Sequence, residues 1–216
     1  MRQLEDLIDR DEPAWPMVQH WIAEAAVPVE VLPVDPQSAN DALVVTQVTT
    51  RSPMGAIVHN SAGIFIDNGW LRFLAGGGHP RFLRSLPSWN AGKSDRFYLV
   101  ADDVLGGFFA INGGLFGEDV GKIYYYAPDS LQWEACDLTY SEFFVWALSD
   151  RMGAFYESSR WDNWLIESRE LNGDQALCVY PFLWAEGPSI GERHRGVVPV
   201  AESWTLQLDL QKQLDG

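Results

Sequence analysis

Gly63-Ile-Phe-Ile-Asp-Asn-Gly-Trp-Leu-Arg-Phe-Leu74 decides the fold. Asn68-Gly69 suits a two-residue type I′ turn, because both residues tolerate the positive φ that such a turn needs. With those two as the loop, Asp67 lies opposite Trp70, Ile66 opposite Leu71, Phe65 opposite Arg72 and Ile64 opposite Phe73. Directly opposed residues of a hairpin share a face. One face is then Ile64, Ile66, Leu71 and Phe73, which belongs on a core. The other is Phe65, Asp67, Trp70 and Arg72, a mixed face. It is expected to lie under a helix with Asp67 and Arg72 paired at its edge, or else to be a docking surface anchored by Trp and Arg.

Downstream of this hairpin the pattern continues as strands. Residues 97–104 and 108–111 flank Gly106-Gly107, and 123–126 and 133–138 flank Pro128-Asp129-Ser130. Strands joined by short turns become antiparallel neighbours. Upstream, Leu4, Leu7 and Ile8, then Trp15, Val18, Trp21, Ile22 and Ala25, recur at helical spacing. A short strand is expected at 29–32, and Asp35-Pro36 opens a helix whose later β-branched residues weaken it. The stretch 49–55 reads as a turn, 56–58 as a short strand and 79–92 as a loop. Thr139-Tyr-Ser-Glu142 is a capping box. A second helix is expected around 161–168, a strand at 176–183, a polar loop at 186–196, a strand at 197–200 and a last helix at 202–214. Helices at both ends of an antiparallel meander make the chain α+β, one domain over residues 1–216.

Composition bounds the function. The chain has 216 residues, 47% of them hydrophobic, with 10 Trp, 7 Tyr and 11 Phe, enough for a large core without staples. Its formal net charge of −15 opposes a phosphate backbone, so no nucleic-acid partner is expected; the charge reads as solubility, with attraction to a basic protein partner as the sharper alternative. Cys136 and Cys178 form no Cys-x-x-Cys pair and read as buried free thiols of a reducing compartment. Without a signal sequence or a membrane-length apolar run, the expected location is the cytoplasm.

The chemistry-bearing motifs are few. Gly76-Gly77-Gly78 lacks the Lys-Ser/Thr of a phosphate loop, and no Gly-x-Ser-x-Gly elbow is present. His20, His59, His79 and His194 show no metal-ligand spacing, so no metal and no cofactor is expected. Asp102 and Asp103 read as solvated turn residues before Gly106-Gly107 rather than a catalytic pair. Arg51 and Ser52 either tie down the loop at 49–55 or, through the planar guanidinium, hold an anion. Glu192-Arg193-His194-Arg195 reads as a solvated loop, with a lid or contact loop as the sharper alternative. The binding candidates are therefore Arg51, Ser52, Phe65, Asp67, Trp70, Arg72 and Asn90. A pocket for a small ligand or substrate would draw on Arg51, Asp67, Arg72 and Asn90.

Several runs together resemble a bacterial family catalogued as domain of unknown function 2625. They are 48–56, 63–74, Ser88-Trp-Asn90, 100–114, Tyr180-Pro-Phe-Leu-Trp184 and Val198-Pro-Val-Ala-Glu202. That resemblance implies no activity. The order of the meander and the Phe-rich stretch Tyr140-Ser-Glu-Phe-Phe-Val-Trp-Ala-Leu148 is similar to the SUKH superfamily. This second resemblance implies a non-catalytic protein-binding module, of the toxin-immunity type.

Overall fold

The computed structural model describes residues 1–215. Its centre is a seven-stranded sheet in strict chain order, every neighbour antiparallel. The strands are β1 (Val29–Leu32), β2 (Gly63–Ile66), β3 (Leu71–Leu74), β4 (Phe97–Asp103), β5 (Phe108–Asn112), β6 (Lys122–Ala127) and β7 (Gln132–Thr139). The hairpin register is the expected one, with Ile66 opposite Leu71, Phe65 opposite Arg72 and Ile64 opposite Phe73. Asn68 and Gly69 hold φ of 61° and 83°, and Asp67 joins them at 49°.

Each face of the sheet is a continuous row. On one face Ile64, Phe73, Ala101, Phe109 and Tyr125 stand opposite one another across β2 to β6. Helix α6 (Tyr140–Ala147) covers this row, started by the Thr139–Glu142 capping box. Its Phe143 lies 5.0 Å from Phe73 and 4.6 Å from Phe109, ring centre to ring centre. The N-terminal helices α1 (Leu4–Leu7), α2 (Trp15–Ala23), α3 (Pro36–Thr46) and α4 (Pro53–Asn60) pack around one another, and Trp21 of α2 meets Phe144 of α6 at 6.3 Å.

The second face carries the mixed row. Glu30, Phe65, Arg72, Asp102, Phe108, Tyr126 and Trp133 follow one another across all seven strands. This face lies under the 79–90 segment with its short helix α5 (Leu86–Asn90) and under the C-terminal third. That third contains α7 (Asp150–Phe155), α8 (Trp164–Glu170), the hairpin β8 (Gln175–Tyr180) and β9 (His194–Pro199), and α9 (Val200–Asp215). Trp204 of α9 meets Phe108 edge-on at 4.8 Å, and Phe82 meets Phe65 at 5.7 Å. Both faces of the hairpin are therefore buried, the mixed one covered as the first of its two readings expects.

Two local expectations change, and one helix is added. Residues 56–58 are helical: Ser52 accepts from Gly55 N, Pro53 takes the first turn, and the short apolar run continues as α4. The 79–92 loop contains α5, because Ser85 and Ser88 cap it reciprocally. α7 follows α6 almost at once, with Ser149 at its N-cap. Among the described residues no helix is long and apolar enough to cross a membrane.

Candidate functional site

The mixed face is held by charges that meet from distant parts of the chain. Arg72 and Asp102 are opposite one another on β3 and β4, and Arg72 Nη2 lies 2.5 Å from Asp102 Oδ1. Arg84, arriving from the 79–85 segment, puts its Nη2 2.5 Å from Asp102 Oδ2 and its Nε 3.4 Å from Asp174 Oδ1. Both Asp102 oxygens are ion-paired, and neither makes an aligned hydrogen bond. The guanidiniums spend their bonds on carbonyls instead: Arg72 on Gln175 O and Asp103 O, Arg84 on Gly173 O. Burial pulls the Arg84 pKa down, with the Asp102 charge working against it. The network thus clips two central strands, the 79–85 segment and the start of β8 together.

Asp103 is equally buried, so the reading of both aspartates as solvated turn residues does not hold. Its Oδ1 accepts from Leu105 N and Gly107 N, and its Oδ2 accepts from the hydroxyls of Tyr125 (2.8 Å) and Tyr156 (3.0 Å). Burial raises its pKa against the pull of those bonds, and burial beside Asp103 pushes both tyrosine hydroxyls well up. Each tyrosine proton is already committed to the carboxylate.

The sequence candidates fall into separate environments. Arg51 is exposed and pairs with Glu12, while Ser52 caps α4. Asp67 does not pair with Arg72; its Oδ2 is 2.5 Å from Arg160 Nη2, and Arg160 lies over Trp70 and Trp164. Trp70 is fully buried among Tyr156, Trp161 and Trp164. Phe65 packs between Phe82 and the Arg81 guanidinium. Asn90 bridges α5 to β4, accepting from Leu99 N and donating to Leu86 O and Leu99 O. Phe65, Asp67, Trp70, Arg72 and Asn90 are all less than a tenth exposed, so they form no open docking face, and of the five Phe65 borders a cavity of about 250 Å³ with Arg81 and Arg169. The two cysteines are free but only half-buried, and burial pushes the Cys136 thiol up to about 12.

The 186–196 segment is likewise more ordered than a solvated loop. Arg195 pairs with Glu167 and stacks on Trp161. Arg193 donates to four carbonyls, Pro181 O (3.0 Å), Phe182 O (2.6 Å), Ala185 O (3.2 Å) and Pro188 O (2.8 Å). That guanidinium staples the 181–188 loop into shape.

The stapled loop forms one wall of a cleft that sequence reading did not anticipate. A cavity of about 270 Å³ lies between the loop, β8 and α9, walled by Leu177, Val179, Leu183, Trp184, Leu206 and Leu210. Its end is the β4–β5 turn. There Leu177 N donates to Val104 O (2.7 Å) and Gln207 Nε2 donates to Gly106 O (2.9 Å). Gly106 has φ +81°, and a Cβ there would stand 2.4 Å from Gln207 Nε2 and from Ser203 Oγ. A side chain at 106 would push α9 off the turn. A second, more polar cavity of about 400 Å³ adjoins the first, since Leu105, Pro128 and Leu183 line both.

A family model described as "Protein of unknown function DUF2625" matches residues 4–203. The chain belongs to the DUF2625 family. It is 44% identical over 217 residues to "Putative uncharacterized protein YbfG" of Escherichia coli (strain K12), covering 98% of each chain. It is 40% identical over 190 residues to an "Uncharacterized protein" of Haemophilus influenzae (strain Rd), covering 85% of this chain and 83% of that one. DUF2625 therefore supplies a family and no activity. Three of the runs that carry the family resemblance, 100–114, 180–184 and 198–202, supply residues of the cleft. That coincidence was the one available signal for Trp184 and Glu202, and no signal pointed to Gln207.

Proposed function

We propose that this DUF2625 protein is a non-catalytic binding protein that holds an apolar group in the cleft between the 181–184 loop and α9. The observation that carries this reading is the cleft itself. It is apolar and concave, and the loop that walls it is fixed by the four carbonyl bonds of Arg193. Binding pockets combine such walls with a few placed polar groups. The buried polar groups elsewhere support the non-catalytic part. Asp102 is neutralised by two arginines, and the Tyr125 and Tyr156 hydroxyls both donate to Asp103. These groups are bonded to one another and do not line the cleft.

The test is a titration of the full chain with toluene, followed by the indole N–H signals of the tryptophans in ¹H–¹⁵N NMR. Saturable movement of the Trp184 signal, abolished by Leu206→Asp, is the expected result. Unmoved signals, or movement that Leu206→Asp leaves intact, would defeat the proposal.

One observation favours a protein as the bearer of the apolar group. The charge of −15 attracts a cationic surface, and Leu206 stands 39% exposed on the cleft wall. A pull-down at low and high salt, with Leu206→Asp as the control, tests this second reading. A basic protein retained by the native chain and lost with the control supports it, and equal recovery with both removes it. The immunity-type role that the SUKH resemblance implied is one form of the same proposal.

A further inference from the structure

The geometry points to a dimer interface on the outward face of α6, where a second copy of this chain docks about a two-fold axis with the two helices antiparallel. This surface shares no residue with the cleft. A groove of about 500 Å³ runs along it, walled by Trp21 of α2, Leu138 of β7, and Val145 and Trp146 of α6. Its middle is apolar and open. Val145 is 43% exposed, and Trp146, stacked on Phe143 at 5.8 Å, is only half-buried. The apolar surface continues on both sides. Met17 lies one turn before Trp21 on α2, Phe155 lies 5.5 Å from Trp146, and both are more than two-fifths exposed. Single exposed apolar residues are ordinary, whereas a contiguous group marks a contact surface.

The two ends of the groove carry opposite charges, and that identifies the occupant. Glu142 stands in the first turn of α6 and Arg151 just past its last turn, both on the groove wall. The Glu142 side chain is 58% exposed. Its Oε2 caps α6 and faces Lys122 at 4.0 Å, while its Oε1 makes no bond among the described residues. Arg151 is exposed, with neither a hydrogen bond nor an ion pair among the described residues. In a two-fold interface every contact occurs twice, residue i on j and j on i. A groove with an acid at one end, a base at the other and an apolar midpoint is its own complement under that symmetry. Turning the second copy end for end sets each Glu142 on the other copy's Arg151, with Val145 and Trp146 meeting their counterparts near the axis. A partner of one charge sign would meet its own sign at one end, and an apolar ligand would leave both charges unused. Exposed ion pairs are individually weak, so the apolar contact holds the dimer and the charges set its direction.

The experiment is sedimentation velocity of the full chain over a wide range of concentration, with circular dichroism to verify that each variant is folded. The native chain should pass from monomer to dimer as concentration rises. Val145→Asp should weaken the dimer by about tenfold or more, because apolar contact is lost on both copies at once. Arg151→Glu should weaken it by about fivefold or more, since two attractions become two repulsions. Glu142→Arg should do the same. An equimolar mixture of Arg151→Glu and Glu142→Arg should then recover the native association, because both cross-pairs are again opposite in sign. Glu142→Arg also gives up the capping-box bond, so Val145→Asp and Arg151→Glu decide the matter if that variant does not fold. A native chain that stays monomeric at every concentration overturns the inference. So does a dimer that Val145→Asp and Arg151→Glu leave intact, or a mixture of folded variants that associates no more tightly than its parts. Toluene binding in the cleft is read separately and stands or falls apart from this result.

Discussion

Replacing Asp102 by asparagine deletes one buried negative charge and leaves Arg72 and Arg84 side by side. Only Asp174, a quarter exposed and 3.4 Å from Arg84 Nε, then balances them. Arg72 is 1% and Arg84 8% exposed at the side chain, so water does little to screen the two cations from each other. Removing one partner of a buried ion pair costs about 3–5 kcal/mol, chiefly because an uncompensated charge stays behind. Against a total stability of about 5–15 kcal/mol this is a large fraction. At about 2–4 °C per kcal/mol for a chain of this size, the melting temperature should fall by roughly 6–20 °C. The assay is urea unfolding followed by tryptophan fluorescence, read as a double-mutant cycle. Arg84→Met/Asp102→Asn leaves Arg72 and Asp174, one charge of each sign. The double variant should therefore be less destabilised than the sum of its parts by about 1 kcal/mol or more. An Asp102→Asn variant within about 1 kcal/mol of the native chain, with additive behaviour in the cycle, would refute the view that this network pins the C-terminal layer to the sheet.

Asp103 carries the clearest pH signature. Burial raises its folded pKa above the ordinary 3.8, so the folded state holds the proton more tightly than the unfolded state does. The stability it contributes is complete below the unfolded value and is lost as pH rises through the folded one. The unfolding free energy of the native chain minus that of Asp103→Asn should fall as pH rises out of the ordinary carboxylate range and then level off. A flat difference in urea melts across that range would exclude it. Ser52→Ala removes the oxygen that accepts from Gly55 N and should cost about 1 kcal/mol in the same melts. Gly63→Ala would put a Cβ 1.7 Å from the Phe82 ring, which is also pressed by Gly173 from its other edge. It should cost about 1–3 kcal/mol through overpacking, with partial recovery in Gly63→Ala/Phe82→Leu; an unchanged denaturation midpoint for Gly63→Ala would contradict the packing seen here.

What was legible in the chain was local. Asn68-Gly69 set the hairpin register, and short turns between apolar runs set the meander. Thr139 and Glu142 marked the start of α6 from three residues apart. What was not legible depended on partners far away in sequence. Asp67 meets Arg160 across 93 residues, and Arg84 meets Gly173 across 89. From neighbours alone, Asp102 and Asp103 look like polar turn residues, since nothing nearby announces two arginines and two tyrosines. Residues 56–58 misled for a related reason. Three apolar residues fit a strand as well as a helix, and the deciding signal was Ser52-Pro53 just before them. The cleft escaped because its walls come from segments that are each unremarkable: a turn glycine, an aromatic loop and one face of a polar helix.

The central claim is that the cleft beside α9 is built to hold a ligand. The most direct measurement is the Trp184 indole N–H signal, assigned by Trp184→Phe, during titration of the full chain with toluene. The account predicts a saturable shift that Leu206→Asp abolishes. A Trp184 signal that stays fixed while the protein remains folded would contradict it.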